Sequence, residues 1–175
     1  MLKPQDCIIL LKLLANPKVD WSQRRLAESI GISLAEVNGG IKRLIDVDLL
    51  RKDQHAKLHP NLKASEEFLI NAIKFFFPGK LGEYTRGIAT GISAPLFKDK
   101  LALGNEPLPV WPDALGKQRG VALPPIHPAV PKALRENPDE PFYELLALLD
   151  VIRTGRARER NMAIHLLKDR LHHEK

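Results

Sequence analysis

The sequence predicts a mainly α fold with a small β-wing, and three observations carry that prediction. Apolar residues recur at helical spacing through residues 1–77 and 142–175, where chain breakers are few. Eleven of the 14 prolines and seven of the 11 glycines fall in residues 78–141, which sets that stretch apart as a Pro/Gly-rich arm. A short apolar run, a polar turn and a second short run within 49–59 interrupt the helical pattern, as a β-hairpin does. The chain therefore divides into 1–77, 78–141 and 142–175.

Pro4 opens the first helix, where its missing N–H costs nothing, and QDCIILLKLLA carries it to Asn16 and Pro17. Cys7, Leu10, Leu11 and Leu14 share one face, but Ile8, Ile9 and Leu13 are apolar too. So wide an apolar surface is expected to touch both the helix's own domain and something else. Ser22 caps a second helix, QRRLAESI, which Gly31 ends. Ser33 caps a third, and Glu36 three residues on completes a capping box. Leu34, Val37, Ile41 and Leu44 are expected to face inward, with Ala35, Glu36, Asn38, Gly39, Lys42, Arg43 and Asp46 outward. Leu49–Arg51 and Lys57–His59 read as short strands about the turn KDQHA. Asn61 caps a fourth helix, NLKASEEFLINAIKFFF, which holds Phe68, Phe75, Phe76 and Phe77.

Two helices, a glycine turn, a third helix and two short strands stand in the order of a winged helix–turn–helix. Helices that cross through a tight turn need a small residue at their contact. Ala27 supplies it, Gly31 the turn, and Val37 the inward anchor of the next helix. The stretch SQRRLAESIGISLAEVNGGIKRLIDVDLL resembles the winged helix–turn–helix of the bacterial MarR-type transcriptional regulators, over roughly residues 5–60. The resemblance implies that the third helix enters the major groove of double-stranded DNA while the second helix and the wing hold phosphates. Carried over by position, the base-facing residues are Ser33, Ala35, Glu36, Asn38, Gly39, Lys42 and Arg43, with Asn38 suited to an adenine edge. The phosphate-facing residues are Gln23, Arg24 and Arg25 on the second helix and Lys52, His55 and Lys57 in the wing. Gly39 and Gly40 depart from the larger residues these regulators carry there, and each costs about 1 kcal/mol of helix stability relative to alanine. Either the helix approaches another backbone closely, or the domain no longer reads DNA.

Residues 78–141 are too long and too proline-rich for an ordinary connection, yet Tyr84, Phe97, Val110, Trp111 and Val121 need burial. The expectation is a packed arm, partly polyproline around PPIHPAVP, with a strand in RGVAL and a tight loop in TRGIATGIS. Its expected dock is the aromatic cluster of the fourth helix. FYELLALLDVIR, residues 142–153, is nearly all apolar and must be buried on most sides. After Thr154 and Gly155, RARERNMAIHLLKDRL forms a last helix. Arg153, Arg156, Arg158 and Arg160 cluster at the joint and read as solvated side chains paired with Glu144, Asp150 and Glu159, in preference to a phosphate or acidic-partner site.

A net charge of +6 permits a polyanionic partner without identifying one. The single cysteine, Cys7, excludes an intrachain disulfide and reads as a packing group. No apolar run approaches a membrane span and the N-terminus lacks a signal-peptide pattern, so a cytoplasmic protein without a membrane partner is expected. His55, His59, His127, His165, His172 and His173 read as structural, the four-residue step from His165 to Asp169 being no site by itself. HExxH, GxSxG and kinase signatures are all missing, so no catalytic residue, cofactor or metal is expected and the chain is read as not an enzyme. The expected function is transcriptional regulation by a DNA-binding homodimer, joined through the outer face of the first helix, the fourth helix and 142–153. The alternative is a protein-interaction module, an adaptor or antitoxin-like subunit, that clasps a partner protein with the winged-helix fold and the long arm.

Overall fold

Helix α1, Pro4–Ala15, starts where its proline predicts, and Asp6 accepts the Lys3 backbone N–H at 2.8 Å to close the first turn. The computed structural model describes residues 1–173. Every residue from Asp6 to Ala15 is buried. Helices α2, Gln23–Ile30, and α3, Leu34–Asp46, carry their predicted caps: Ser22 Oγ accepts from Arg25 N, and Ser33 and Glu36 exchange both bonds of a capping box. Gly31 joins them at φ 77°, a left-handed conformation that a side chain disfavours, and its N–H closes α2 on Ala27 O. Strands β1, Leu50–Lys52, and β2, Leu58–Pro60, pair antiparallel with Arg51 opposite His59.

The adjacent glycines of α3 have two separate reasons. At Gly40, α3 packs on α1: a Cβ there would stand 2.6 Å from Ile9 Cδ1 and 2.8 Å from Asp6 Oδ1. At Gly39, the Arg43 guanidinium folds back along the helix, 3.1 Å from where a Cβ would be. Close approach therefore accounts for Gly40, although the neighbours it admits are side chains of α1 and not its backbone. Val37, Ile41 and Leu44 are buried as predicted. Leu34, expected inward, is 47% exposed, because it is the first residue of α3 and lies before the turn that packs.

The predicted fourth helix is helical in three pieces. Helix α4, Leu62–Glu67, leads through a π-helical turn, Phe68–Ala72, into α5, Ile73–Phe76. The extra residue of a π-turn rotates the next helical turn about the axis. Leu69 and Ile73 remain buried, whereas Phe75 and Phe76 are 73% and 59% exposed. The aromatic cluster is therefore divided and does not receive the arm.

The arm is ordered, as predicted, but built differently. It contains β3, Tyr84–Ala89, two 3-10 turns at Gly91–Ser93 and Pro95–Phe97, β4, Pro109–Pro112, and β5, Gln118–Ala122. The first half of TRGIATGIS is thus a strand and not a loop, while RGVAL lies in β5 as expected. PPIHPAVP runs into helix α6, Val130–Glu136, with Pro131 in its first turn. Strand β3 is antiparallel to both β4 and β5, which pair parallel with each other, so the three close into a tube. Its inside has no room for a side chain at Gly87 or Gly120. A Cβ on Gly87 would stand 1.9 Å from Trp111 O, and one on Gly120 would stand 2.0 Å from Leu108 O.

Helix α7, Glu140–Thr154, receives the arm, and α8, Ala157–His173, packs on α7. The junction is a buried carboxylate. Asp150 Oδ2 accepts from Thr90 Oγ1 at 2.6 Å and Trp111 Nε1 at 2.7 Å, and Oδ1 accepts from Arg153 at 2.7 Å. Trp111 and Phe97 of the arm are fully buried. Helix α7 also packs on α1. The apolar surfaces of α1 and of 142–153 therefore cover each other within one chain, and they do not require the second copy expected of them. Among the described residues no helix is long and apolar enough to cross a membrane.

The contact between α1 and α7 has a polar lock. Lys12, buried in α1, places Nζ 2.6 Å from Asp139 Oδ2, which also accepts from Asn16 Nδ2 at 2.8 Å. Asp139 Oδ1 caps α7 by accepting from Phe142 N at 3.0 Å. Burial pushes the Asp139 carboxyl up, but the bonds from Lys12, Phe142 N and Asn16 outweigh it and hold the group below its ordinary value. A carboxyl depressed in the fold adds stability above its unfolded pKa and loses it as pH falls through the folded value. Asp139→Asn should therefore be less stable than wild type at pH 7, and the gap in urea midpoint should shrink at about pH 3. An equal gap at both pH values would contradict this assignment.

Candidate nucleic-acid interface

The exposed faces of α2, α3 and the β1–β2 hairpin carry most of the residues singled out by sequence. On α2, Gln23 is half-buried and Arg24 and Arg25 are exposed, the Arg25 guanidinium lying 5.4 Å from the Trp21 ring centre. The cap Ser33 and, on α3, Ala35, Asn38 and Lys42 are exposed. Glu36 is engaged as a cap: its carboxylate accepts the Ser33 N–H at 2.8 Å, and that bond holds the carboxyl below its ordinary value. Gly39 lies under Arg43 and offers no side chain.

Arg43 is not free to meet a base. Its Nε lies 2.7 Å from Asp6 Oδ2 and a second guanidinium nitrogen 2.8 Å from Oδ1, a bidentate pair on a fully buried carboxylate. That hydrogen bond raises the Arg43 pKa further. The placement expected from sequence is thus corrected: Arg43 fastens α3 to α1, in the notch that Gly40 opens.

In the hairpin, Lys52, His55 and Lys57 are exposed. Asp53 shapes the turn between the strands. Its carboxylate meets His59 Nε2 at 2.8 Å and accepts from His55 N at 2.8 Å and Lys57 N at 3.0 Å; the His59 bond is the largest of the effects that lower its pKa. Arg51, not singled out by sequence, is exposed on β1 and bound by Asp48 at 2.9 Å. Arg24, Arg25, Lys42, Lys52 and Lys57 take part in none of the ion pairs found among the described residues.

The arm reaches this region. Helix α6 packs on α2, and Asn137 Nδ2 lies 3.5 Å from Glu28 O. Burial lowers the pKa of His127, just before α6, and the His127 and Glu36 charges interact. Sequence reasoning missed these flanking residues. The usable signal was Pro131, a proline suited to the first turn of a helix.

Elsewhere the four arginines of the joint lie in different environments, and the expected pairing of Arg153 with Asp150 is present. Arg153 is buried and donates to Asp150, to Phe77 O at 2.7 Å and to Pro78 O at 3.4 Å, so it is corrected from a solvated side chain to a core contact. Arg156 and Arg158 are exposed, as expected of a solvated joint, and Arg160 is half-buried. Glu144 pairs with Arg170 at 2.8 Å and not with the joint. Burial pushes the Cys7 thiol up, which leaves it a packing group. Among the described residues, no three His, Cys, Asp or Glu side chains converge as metal ligands do. The side chain of His173 lies outside the described residues. No family model, curated protein or solved structure matches the chain.

Proposed function

We propose that the chain is a cytoplasmic DNA-binding transcriptional regulator whose first roughly 60 residues form a MarR-like winged helix–turn–helix. One observation carries the reading. Two helices joined at the left-handed Gly31 and followed by a short hairpin expose Arg24, Arg25, Lys42, Lys52 and Lys57 outside any ion pair found among the described residues. Cations at these positions neutralise phosphates, and Asn38 and Lys42 on α3 meet base edges in the major groove. Ala35 offers a methyl-sized contact to thymine. In a homodimer two α3 helices would meet half-sites about 34 Å apart. The exposed aromatics Phe75 and Phe76 of α5 are then the surface for assembly, in place of α1 and 142–153.

The protein-interaction reading has one observation in its favour. The outer face of α3 mixes Lys42 with Glu36 and Asp46 and exposes Leu34, which makes it less cationic than a DNA-reading helix needs. Selection of bound fragments from random duplexes by the purified protein, at two salt concentrations, separates the two. Enrichment of a palindrome is the expected result. Failure to retain any duplex at low salt would reject the DNA reading and favour a protein partner.

A further inference from the structure

We propose that the outer face of β3 and β5 is a second phosphate-binding surface for duplex DNA, centred on Arg86 and Arg119; this rests on the DNA reading above. The register sets Arg86 directly opposite Arg119 in the antiparallel β3–β5 pair. Like charges at directly opposed positions repel and destabilise a sheet. Both side chains are exposed, and neither takes part in an ion pair found among the described residues. A neighbouring carboxylate, that of Asp113, is engaged elsewhere. Asp113 donates its backbone N–H to Arg86 O at 3.1 Å, but its side chain binds Arg135 and accepts from Leu115 N at 3.1 Å. The Arg86 guanidinium makes a long bond, 3.4 Å, to Gly116 O. Arg119 lies 5.6 Å from the centre of the exposed Tyr84 ring, which orients the guanidinium without neutralising it.

The alternation of the strands makes this a single cationic face. Tyr84 and Arg86 point outward from β3, while Thr85, Gly87 and Ala89 point to the more buried side. Lys117, exposed just ahead of β5, continues the outward series of Arg119. The inward positions Gly87 and Gly120 let backbone meet backbone, so the face is built on a closed and rigid unit. With Arg86 reaching to Gly116 and Arg119 to the Tyr84 ring, each guanidinium suits the oxygens of its own phosphate, which it binds with directed hydrogen bonds.

The fold also connects this face to the proposed DNA-reading unit. Asp113, between β4 and β5, is bound by Arg135 of α6, and α6 packs on α2, which carries Arg24 and Arg25. A duplex seated on α2 and α3 thus has a second set of cations tied to the same element that flanks α2.

The test is a titration of a labelled duplex by fluorescence anisotropy over a range of salt, with hydroxyl-radical footprinting, on wild type and Arg86→Gln/Arg119→Gln. The expected result is a log–log salt slope smaller by about 2 in the variant, together with loss of protection at one flank of the footprint. Arg86→Lys/Arg119→Lys should keep most of the slope, and thermal melting checks that both variants fold. Duplex binding by wild type with the same slope and footprint in the Gln variant overturns this proposal and leaves the α2–α3 reading standing. Failure of wild type to bind duplex overturns both. Competition by poly-glutamate equal to that by duplex at matched charge would show an unspecific cationic surface and also overturn it.

Discussion

Asp150→Ala is expected to lower stability by about 3–5 kcal/mol, the usual cost of stranding one partner of a buried ion pair. The carboxylate is the shared acceptor of Thr90, Trp111 and Arg153, and Arg153 is left with only 5% of its side chain exposed. Burial holds the Asp150 carboxyl above its ordinary range, against the pull of Arg153, Thr90 and Trp111. Removing the carboxylate is costly because it strands the charge of the Arg153 guanidinium, which the Phe77 and Pro78 carbonyls it also meets do not neutralise. Asp150→Ala/Arg153→Met should recover much of the loss, and urea unfolding of the two single variants and the double variant reads the coupling. Additive losses would contradict the keystone role given to Asp150. Because Trp111 and Thr90 hang from the same carboxylate, the arm should loosen first, visible as earlier cutting within 84–122 by a protease.

Gly87→Ala and Gly120→Ala are each expected to cost about 3 kcal/mol or more, at the upper end of overpacking effects. The obstacle is backbone: the added methyl carbon would lie 1.9 Å from Trp111 O in the first case and 2.0 Å from Leu108 O in the second. No rotamer change relieves such a contact, so the β3–β4–β5 tube must open. Gly104→Ala is the control, since a Cβ there meets nothing within 4 Å. Thermal melting of the three variants checks the order. A Gly87→Ala protein as stable as Gly104→Ala would mean that the tube is not closed in solution.

The parts of the fold legible in sequence were those fixed by local chemistry. Ser22, Gly31 and the Ser33–Glu36 box set the ends of α2 and α3 through bonds spanning three or four residues, and these are visible in sequence order. The parts that failed depend on distant neighbours. Arg43 looks like an outward cation by its place on α3, and only the crossing of α1 brings Asp6 to it. TRGIATGIS reads as a loop because glycines break strands, but Gly87 is what allows β3 to close on the backbone of β4. The phenylalanines of the fourth helix read as the dock of the arm, and the π-turn removes Phe75 and Phe76 from that role. A better signal was a lone acid in an apolar helix. Asp150 in FYELLALLDVIR had to be buried, and a buried acid needs partners.

The same distinction bears on the interface. Residues whose exposure follows from helix period, such as Asn38 and Lys42, are where the sequence placed them. Arg43 and Glu36 are where their partners hold them, and their substitution would report on folding before it reported on DNA.

Binding of a labelled duplex by wild type and by Arg24→Ala/Lys42→Ala/Lys52→Ala, measured by anisotropy from low to physiological salt, decides whether α2, α3 and the hairpin hold DNA. All three side chains are exposed and outside any ion pair found among the described residues, so the variant should melt like wild type. Wild type should bind the duplex, and its log–log salt slope should fall by about 3 in the variant. A wild type that leaves the anisotropy unchanged at low salt, or a variant with the wild-type slope, would contradict it.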